Sequence, residues 1–135
     1  MAVPGGEPLC GLKVLAIDNE QSALEGMRAL LGRWGCSVAT ARGLAEAREA
    51  LAGFGPPDVV IADFHLDEGD GIETIRTLRE DVGRFVPAIL ATADRSPEVR
   101  DRAAREDVVI LHKPVKPAPL RAQLTRYSAM REAAE

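Results

Sequence analysis

The amino-acid sequence predicts an α/β protein with a doubly wound, five-stranded parallel sheet and helices on both faces. Short apolar runs typical of strands alternate five times with segments whose apolar residues recur at helical spacing. The most apolar run, residues 59–62, has no polar face, as expected of a strand buried between two helical layers. Three of the runs stop on a charged residue, namely Asp18, Asp63 and Lys113. In open α/β sheets, sites form at the edge where parallel strands end.

The predicted strands are short and each is followed by a helical segment. They comprise residues 13–18, 37–41, 59–64, 87–92 and 108–111. Strand–helix units in this order imply right-handed crossovers, which place helices on both faces of the sheet.

The predicted helices are recognised by their apolar periodicity and by their end signals. They comprise residues 22–34, 44–52, 71–81, 96–106 and 117–130. Gly35 and Gly53 stand where the first and second helices should end. Ser96 and Pro97 are typical of an N-cap and a first helical position.

The fourth and fifth helices differ in how much apolar surface they offer the core. The fifth should direct four side chains inward: Leu120, Leu124, Tyr127 and Met130. The fourth has only Val99, Ala103 and Ala104, so it is expected either to be weakly held and able to shift, or to be simply a small surface helix.

Length and composition favour a single domain. The 135 residues are 46% hydrophobic and 28% charged, as in ordinary globular proteins. The Pro/Gly-rich start predicts a flexible lead-in or linker over residues 1–10, followed by the domain over 11–131 and a tail over 132–135.

Several partner and location classes are disfavoured. The net charge is −4 and no basic block is present, which argues against nucleic acid. There is no signal peptide, and no apolar run approaches the ~20 residues of a membrane span, so we expect a cytoplasmic domain without membrane contact. Two cysteines are too few for a disulfide framework.

Four polar residues should converge at the carboxyl edge of the sheet: Asp18, Asp63, Thr92 and Lys113. Two carboxylates ~4 Å apart repel by about 4 kcal/mol at an effective dielectric constant of ~20, so the site needs a cation or a proton. Oxygen ligands without a His/Cys cluster favour Mg²⁺. Such a site suits phosphoryl transfer, with Asp63 as the nucleophile. Each residue alone is an ordinary strand-end or turn residue, and it is their conjunction that indicates a site.

Four segments around these residues resemble the signature blocks of response-regulator receiver domains. They are residues 14–20, 60–67, 90–93 and 112–114, within a match from about Gly11 to Met130. The resemblance implies a flavodoxin-like strand order, 2-1-3-4-5. It also implies that Asp63 accepts a phosphoryl group from a phosphohistidine of a histidine kinase or a histidine phosphotransfer protein. The isolated domain would not be an enzyme, beyond phosphorylating itself from a donor and slowly losing the group.

The resemblance also implies individual roles. Mg²⁺ (or Mn²⁺) would be held by Asp18, Asn19, Asp63 and the backbone carbonyl of His65. Thr92, Ala93 and Lys113 would bind the phosphoryl group, with a cis bond before Pro114. His65 and Asp94 would tune the loss of the phosphoryl group to water, and Thr92 and Ile110 would occupy the switch positions. Three segments most resemble receivers at the C-terminus of hybrid histidine kinases, namely residues 18–20, 34–36 and 63–67. With nothing resembling an output domain after residue 130, any effect is expected to pass by phosphotransfer or protein contact.

Two positions depart from the family pattern and keep alternatives open. Asn19 replaces a second acid, which should weaken the metal site unless Glu20 contributes. Ile110 replaces an aromatic residue, so a switch would have to run through the fourth or the closing helix. A receiver-like interaction module that is never phosphorylated is therefore one alternative. A nucleotide-binding domain lacks its glycine fingerprint here, and a metal-dependent phosphatase would want an acid at His65.

Overall fold

The structure is a computed structural model that describes residues 8–134, and five strands alternate with five helices along it. The strands are β1 (Lys13–Ile17), β2 (Ser37–Ala41), β3 (Val59–Ala62), β4 (Ala88–Thr92) and β5 (Val109–His112). The helices are α1 (Gln21–Arg33), α2 (Leu44–Phe54), α3 (Gly71–Val82), α4 (Pro97–Arg105) and α5 (Pro117–Ala134).

The strands form one sheet in the order β2-β1-β3-β4-β5, and every neighbouring pair is parallel. The predicted fold class and strand order are therefore confirmed. Strand β3 lies at the centre, and all four of its residues are buried, which explains its uninterrupted apolar sequence. The register pairs Ile17 with Ala62, so the residues that follow β1 and β3 emerge side by side.

Two apolar layers flank the sheet because successive strand residues point to opposite faces. One layer joins strand residues such as Leu15, Val60 and Leu90 to α2, α3 and α4. The other joins Val14 and Ile61 to residues of α1 and α5. The sheet is thus fixed from both sides, and its carboxyl edge is a stable platform for polar side chains.

The domain extends beyond both predicted boundaries. Residues 1–7 of the predicted lead-in lie outside the described residues, but Leu9 is fully buried in the layer beneath α1 and α5. The Ser128 hydroxyl donates to the carbonyl of Pro8 at 2.8 Å. Packing therefore begins before residue 11. At the other end, α5 continues through the predicted tail as far as Ala134.

Several local predictions need correction. Helix α2 passes through Gly53 and ends before Gly55, whose φ of 86° is available to glycine at little cost. Met130 is 49% exposed rather than inward, and Ala104 is also exposed. Ser96 precedes α4 as predicted, but its side chain makes no capping hydrogen bond. Within residues 8–134, no helix combines the length and apolar character needed to cross a bilayer.

Candidate functional site

The site lies at the carboxyl edge of the sheet, where β1, β3, β4 and β5 end. Strands β1 and β3 end slightly earlier than predicted, so Asp18 and Asp63 are the first residues after them. The Asp63 amide donates to the carbonyl of Ile17 at 3.0 Å, which holds the two aspartates on neighbouring backbones. Thr92 ends β4, and Lys113 follows β5.

Lys113 joins the two carboxylates. Its Nζ lies 2.8 Å from Asp18 Oδ2 and 3.0 Å from Asp63 Oδ2. The predicted convergence of three charged residues far apart in sequence is therefore present. The three side chains are only 10–28% exposed, so their charges are weakly screened by solvent. Burial opposes the charge of Lys113, but the hydrogen bonds and attraction of both aspartates outweigh it and raise the pKa of Lys113.

The other oxygen of Asp18 and the side chain of Asn19 organise the turn after β1. Asp18 Oδ1 accepts a hydrogen bond from the Glu20 amide at 2.9 Å. Asn19 Nδ2 donates to Asp67 Oδ1 at 3.0 Å, which ties this turn to the loop after β3. The amide oxygen of Asn19 is not engaged by that bond. Glu20 is exposed at the N-cap of α1.

The loops after β3 and β4 meet through His65 and Asp94. His65 Nε2 lies 2.7 Å from Asp94 Oδ2, and the other oxygen of Asp94 accepts from the Ser96 amide at 2.8 Å. The hydrogen bond from the Ser96 backbone, with those from the Ser96 and His65 side chains, lowers the pKa of Asp94 to about 2. The imidazole is well exposed, whereas the carboxylate is mostly covered.

Thr92 and Ala93 occupy the end of β4. The Thr92 side chain is fully buried, and its Oγ1 accepts from the Asp94 amide at 3.2 Å. Because that bond uses a lone pair, the hydroxyl proton is free to be donated. Ala93 is exposed and adds no bulk beyond its methyl group.

The remaining predicted site residues lie on or just after β5. Ile110 is half-buried against the layer formed with α2, α3 and α4. The Lys113–Pro114 peptide bond is cis, and Pro114 itself is exposed.

Sequence reasoning missed Gly71, the first residue of α3. A Cβ at this position would overlap the backbone carbonyl of Asp63, and the Gly71 amide donates to the carbonyl of Phe64 at 2.8 Å. The start of α3 therefore presses directly on the backbone that carries Asp63. The Asp-Gly pair at residues 70–71 is the available sequence signal, and by itself it indicates only a turn or a helix start.

A second missed feature is the pair formed by Asp70 and Arg102. Arg102 donates two hydrogen bonds to the Asp70 carboxylate, at 3.0 and 3.3 Å, and its guanidinium carbon lies 5.5 Å from the centre of the Phe64 ring. Residues 32 apart in sequence give no periodic or motif signal of such a contact.

The donor set at this edge fits a small divalent cation. Asp18 and Asp63 supply carboxylate oxygens, Asn19 an amide oxygen and His65 a backbone carbonyl, all hard ligands of the kind that Mg²⁺ prefers. The two carboxylates carry one more negative charge than Lys113 neutralises. Within residues 8–134, neither this edge nor any other part of the protein has three or more His, Cys, Asp or Glu side chains grouped to hold a metal. The set here would therefore combine two carboxylates with an amide oxygen and a backbone carbonyl.

The response regulator receiver domain family matches residues 14–125. The chain is 32% identical over 119 residues to the response regulator MprA of Mycobacterium leprae (strain TN), a match covering 88% of this chain and 50% of the relative. It is 37% identical over 127 residues to the KDP operon transcriptional regulatory protein KdpE of Escherichia coli (strain K12), covering 86% of this chain and 52% of the relative. The chain thus spans about half the length of these relatives.

Solved structures of receiver proteins share this fold. The chemotaxis protein CheY4 of Vibrio cholerae superposes with a TM-score of 0.78 at 28% identity, covering 87% of this chain and 99% of that one. A receiver domain protein from Clostridium thermocellum gives a TM-score of 0.81 at 23% identity, covering 91% and 98%, which supports the fold alone. With its strand order and its family match over residues 14–125, the chain belongs to the response regulator receiver domain family of two-component signalling systems.

Proposed function

We propose that Asp63 is a phosphoacceptor that receives a phosphoryl group from a phosphohistidine of a histidine kinase or histidine phosphotransfer protein. The observation that carries this proposal is the ammonium of Lys113 within 3.0 Å of both Asp63 and Asp18. A nucleophilic carboxylate is thus held beside a fixed positive charge, which is the arrangement that phosphoryl transfer requires.

The proposed reaction forms one bond and breaks one. A carboxylate oxygen of Asp63 attacks phosphorus while the phosphorus–nitrogen bond of the phosphohistidine breaks, and the imidazole of the donor leaves with the electron pair and takes up a proton. Lys113 Nζ stabilises the negative charge spread over the phosphoryl oxygens. The Thr92 hydroxyl, whose proton is free, donates to one of those oxygens.

Asp18, Asn19, Asp63 and the carbonyl of His65 would hold Mg²⁺ or Mn²⁺ at this site. When bound, the ion supplies positive charge that neutralises the phosphoryl oxygens in the transition state. Asn19 makes this ligand set one charge poorer than it would be with an acid at that position. Its hydrogen bond to Asp67 orients the amide.

The output of the domain follows from this chemistry. An aspartyl phosphate alters charge at the loops that bear Asp63 and Thr92, so the domain signals through changed protein contacts or by passing the group onward. We infer no turnover of another substrate by the isolated domain, apart from slow loss of its own phosphoryl group. Its expected location is the cytoplasm, and residence in a hybrid histidine kinase stays a prediction.

Intact-mass measurement after incubation with acetyl phosphate tests the proposal. The wild-type protein should gain the mass of one phosphoryl group in Mg²⁺ and not in excess chelator. Asp63→Asn should gain none. Glu68→Gln, an exposed substitution in the same loop, is the matched control and should behave as the wild type. No gain by the wild type, together with amide spectra unchanged by Mg²⁺ and beryllofluoride, would favour the unphosphorylated interaction module instead.

A further inference from the structure

Helix α4 is anchored to the protein by little apolar surface. All of α4 lies within the described residues, and only Val99 and Ala103 of its nine residues are buried. At its C-terminal end, Arg79 donates to the carbonyls of Glu106 and Asp107. The rest of the helix must be positioned chiefly by polar contacts. One of these comes from α4 itself, the bidentate pair of Arg102 with Asp70.

The Arg102 pair is built more firmly than an ordinary surface ion pair. Its side chains are 31% and 16% exposed, and two parallel hydrogen bonds fix the planar guanidinium. The same guanidinium lies over the ring of Phe64, the residue that follows Asp63. Arg102 therefore contacts both ends of the segment that joins Asp63 to α3.

That segment is coupled to Asp63 through backbone contacts. Asp70 Oδ1 accepts from the Glu73 amide at 2.9 Å, so the carboxylate that binds Arg102 also caps α3. The next residue, Gly71, donates to the carbonyl of Phe64 and packs on that of Asp63. A displacement of the Asp70 carboxylate should therefore be transmitted through Gly71 to the backbone of Asp63 and Phe64.

We propose that Arg102 is a positioning residue that ties α4 to the loop carrying Asp63, so that a change at Asp63 moves α4 and a change in α4 alters the loop. The tie itself depends only on the contacts above. Its use in signalling rests on the proposed phosphorylation of Asp63. Because coupling between two sites is reciprocal, weakening the pair from either side should loosen the other partner.

Hydrogen exchange of the unliganded protein tests the tie, that is, the link that Arg102 makes between α4 and residues 64–70. Arg102→Met keeps the apolar stem and removes the charge, and amides of residues 64–70 should then exchange about three- to tenfold faster, as expected for one partly buried bidentate pair. Arg102→Lys should restore part of the protection. Asp70→Asn retains a side chain that can cap α3 but removes the charge that binds Arg102, so amides of α4 should exchange faster.

The matched control is Arg100→Met on the same helix, because the Arg100 side chain is 71% exposed and its guanidinium lies 4.0 Å from Asp101. This variant should leave residues 64–70 unchanged, and amides of β1 and β3 should be unchanged in every variant. Unaltered loop exchange in Arg102→Met, or equal effects of Arg100→Met and Arg102→Met, would overturn the tie.

A second arm uses Mg²⁺ with beryllofluoride. The wild type should change exchange in both the loop and α4, whereas Arg102→Met should keep the loop response and lose the response of α4. An undiminished α4 response in Arg102→Met would overturn the signalling role of Arg102. A wild type that responds in neither region would contradict the proposed phosphorylation instead, and the unliganded arm would still decide the tie.

Discussion

His65 Nε2 lies 2.7 Å from Asp94 Oδ2, and this contact bridges the loop that follows Asp63 and the loop that follows Thr92. The two loops border Asp63, the proposed phosphoacceptor, so the bridge should restrain them where water would approach an aspartyl phosphate. One partner is an exposed imidazole, and its removal should leave the core undisturbed.

Removing the bridge should shorten the lifetime of the phosphorylated state. We expect His65→Ala to lose its phosphoryl group about threefold faster than the wild type, the scale of one exposed hydrogen bond. The decay of phosphoprotein after removal of the donor, followed by intact mass, measures this. Glu68→Gln serves as the control in the same loop, and equal decay of wild type and His65→Ala would show that the bridge does not restrain the site.

The ionisation of Asp94 predicts a pH dependence. Because its pKa is lowered to about 2 in the folded state, Asp94 stabilises the fold above its ordinary pKa, and this contribution is lost as the pH falls through the range from about 4 to about 2. The Asp94 carboxyl carbon should therefore keep its ionised chemical shift at about pH 3, where an ordinary aspartate is mostly protonated. A midpoint near that of an ordinary aspartate would contradict the hydrogen bonds from Ser96 and His65.

Replacing Lys113 should separate metal binding from phosphoryl transfer. Lys113→Met removes a positive charge that competes with a cation for Asp18 and Asp63. Mg²⁺ should therefore bind at least about tenfold more tightly, since even the dielectric constant of bulk water leaves a repulsion of that size. Phosphorylation by acetyl phosphate should become at least about tenfold slower, because the phosphoryl oxygens lose a fixed cation. Calorimetric titration gives the affinity for Mg²⁺, and intact mass followed over time gives the rate of phosphorylation.

The control for that experiment is Lys116→Met, three residues along the chain and exposed. It should change neither value. Weaker binding of Mg²⁺ by Lys113→Met would mean that Lys113 organises the aspartates for the ion rather than competing with it.

The contact between Gly71 and Asp63 predicts a position that tolerates no side chain. Gly71→Ala would place a methyl group against the Asp63 carbonyl, and we expect the free energy of unfolding to fall by about 1–3 kcal/mol. Gly53→Ala is the matched control, since Gly53 lies in α2 with open space around it and alanine favours a helix by up to about 1 kcal/mol. Urea denaturation of both variants measures the two changes in the free energy of unfolding. An unchanged free energy of unfolding in Gly71→Ala would rule out the close approach.

The sequence predicted the site because its key residues stand at strand ends. Apolar runs located β1, β3 and β5, and the rule that parallel strands end at one edge places Asp18, Asp63 and Lys113 along that edge. The strand order needed the family resemblance, since the apolar pattern alone does not say which strands are neighbours.

What the sequence could not predict depends on contacts between residues remote in sequence. The burial of Leu9 and the pair of Asp70 with Arg102 leave no periodic signal, and an Asp-Gly dipeptide does not show that Gly71 will meet the carbonyl of Asp63. Helical periodicity placed Met130 inward, yet its side chain is exposed, because the buried face of α5 runs through Leu120, Leu124 and Ser128.

Identifying the phosphorylated residue tests the central claim most directly. Borohydride reduces an aspartyl phosphate to homoserine, so protein treated with acetyl phosphate and Mg²⁺, then reduced and digested, can be mapped by peptide mass spectrometry. The site formed by Asp18, Asp63 and Lys113 predicts homoserine at position 63 alone, and none in Asp63→Asn. Homoserine at another aspartate of the wild type, or at no position, would contradict it.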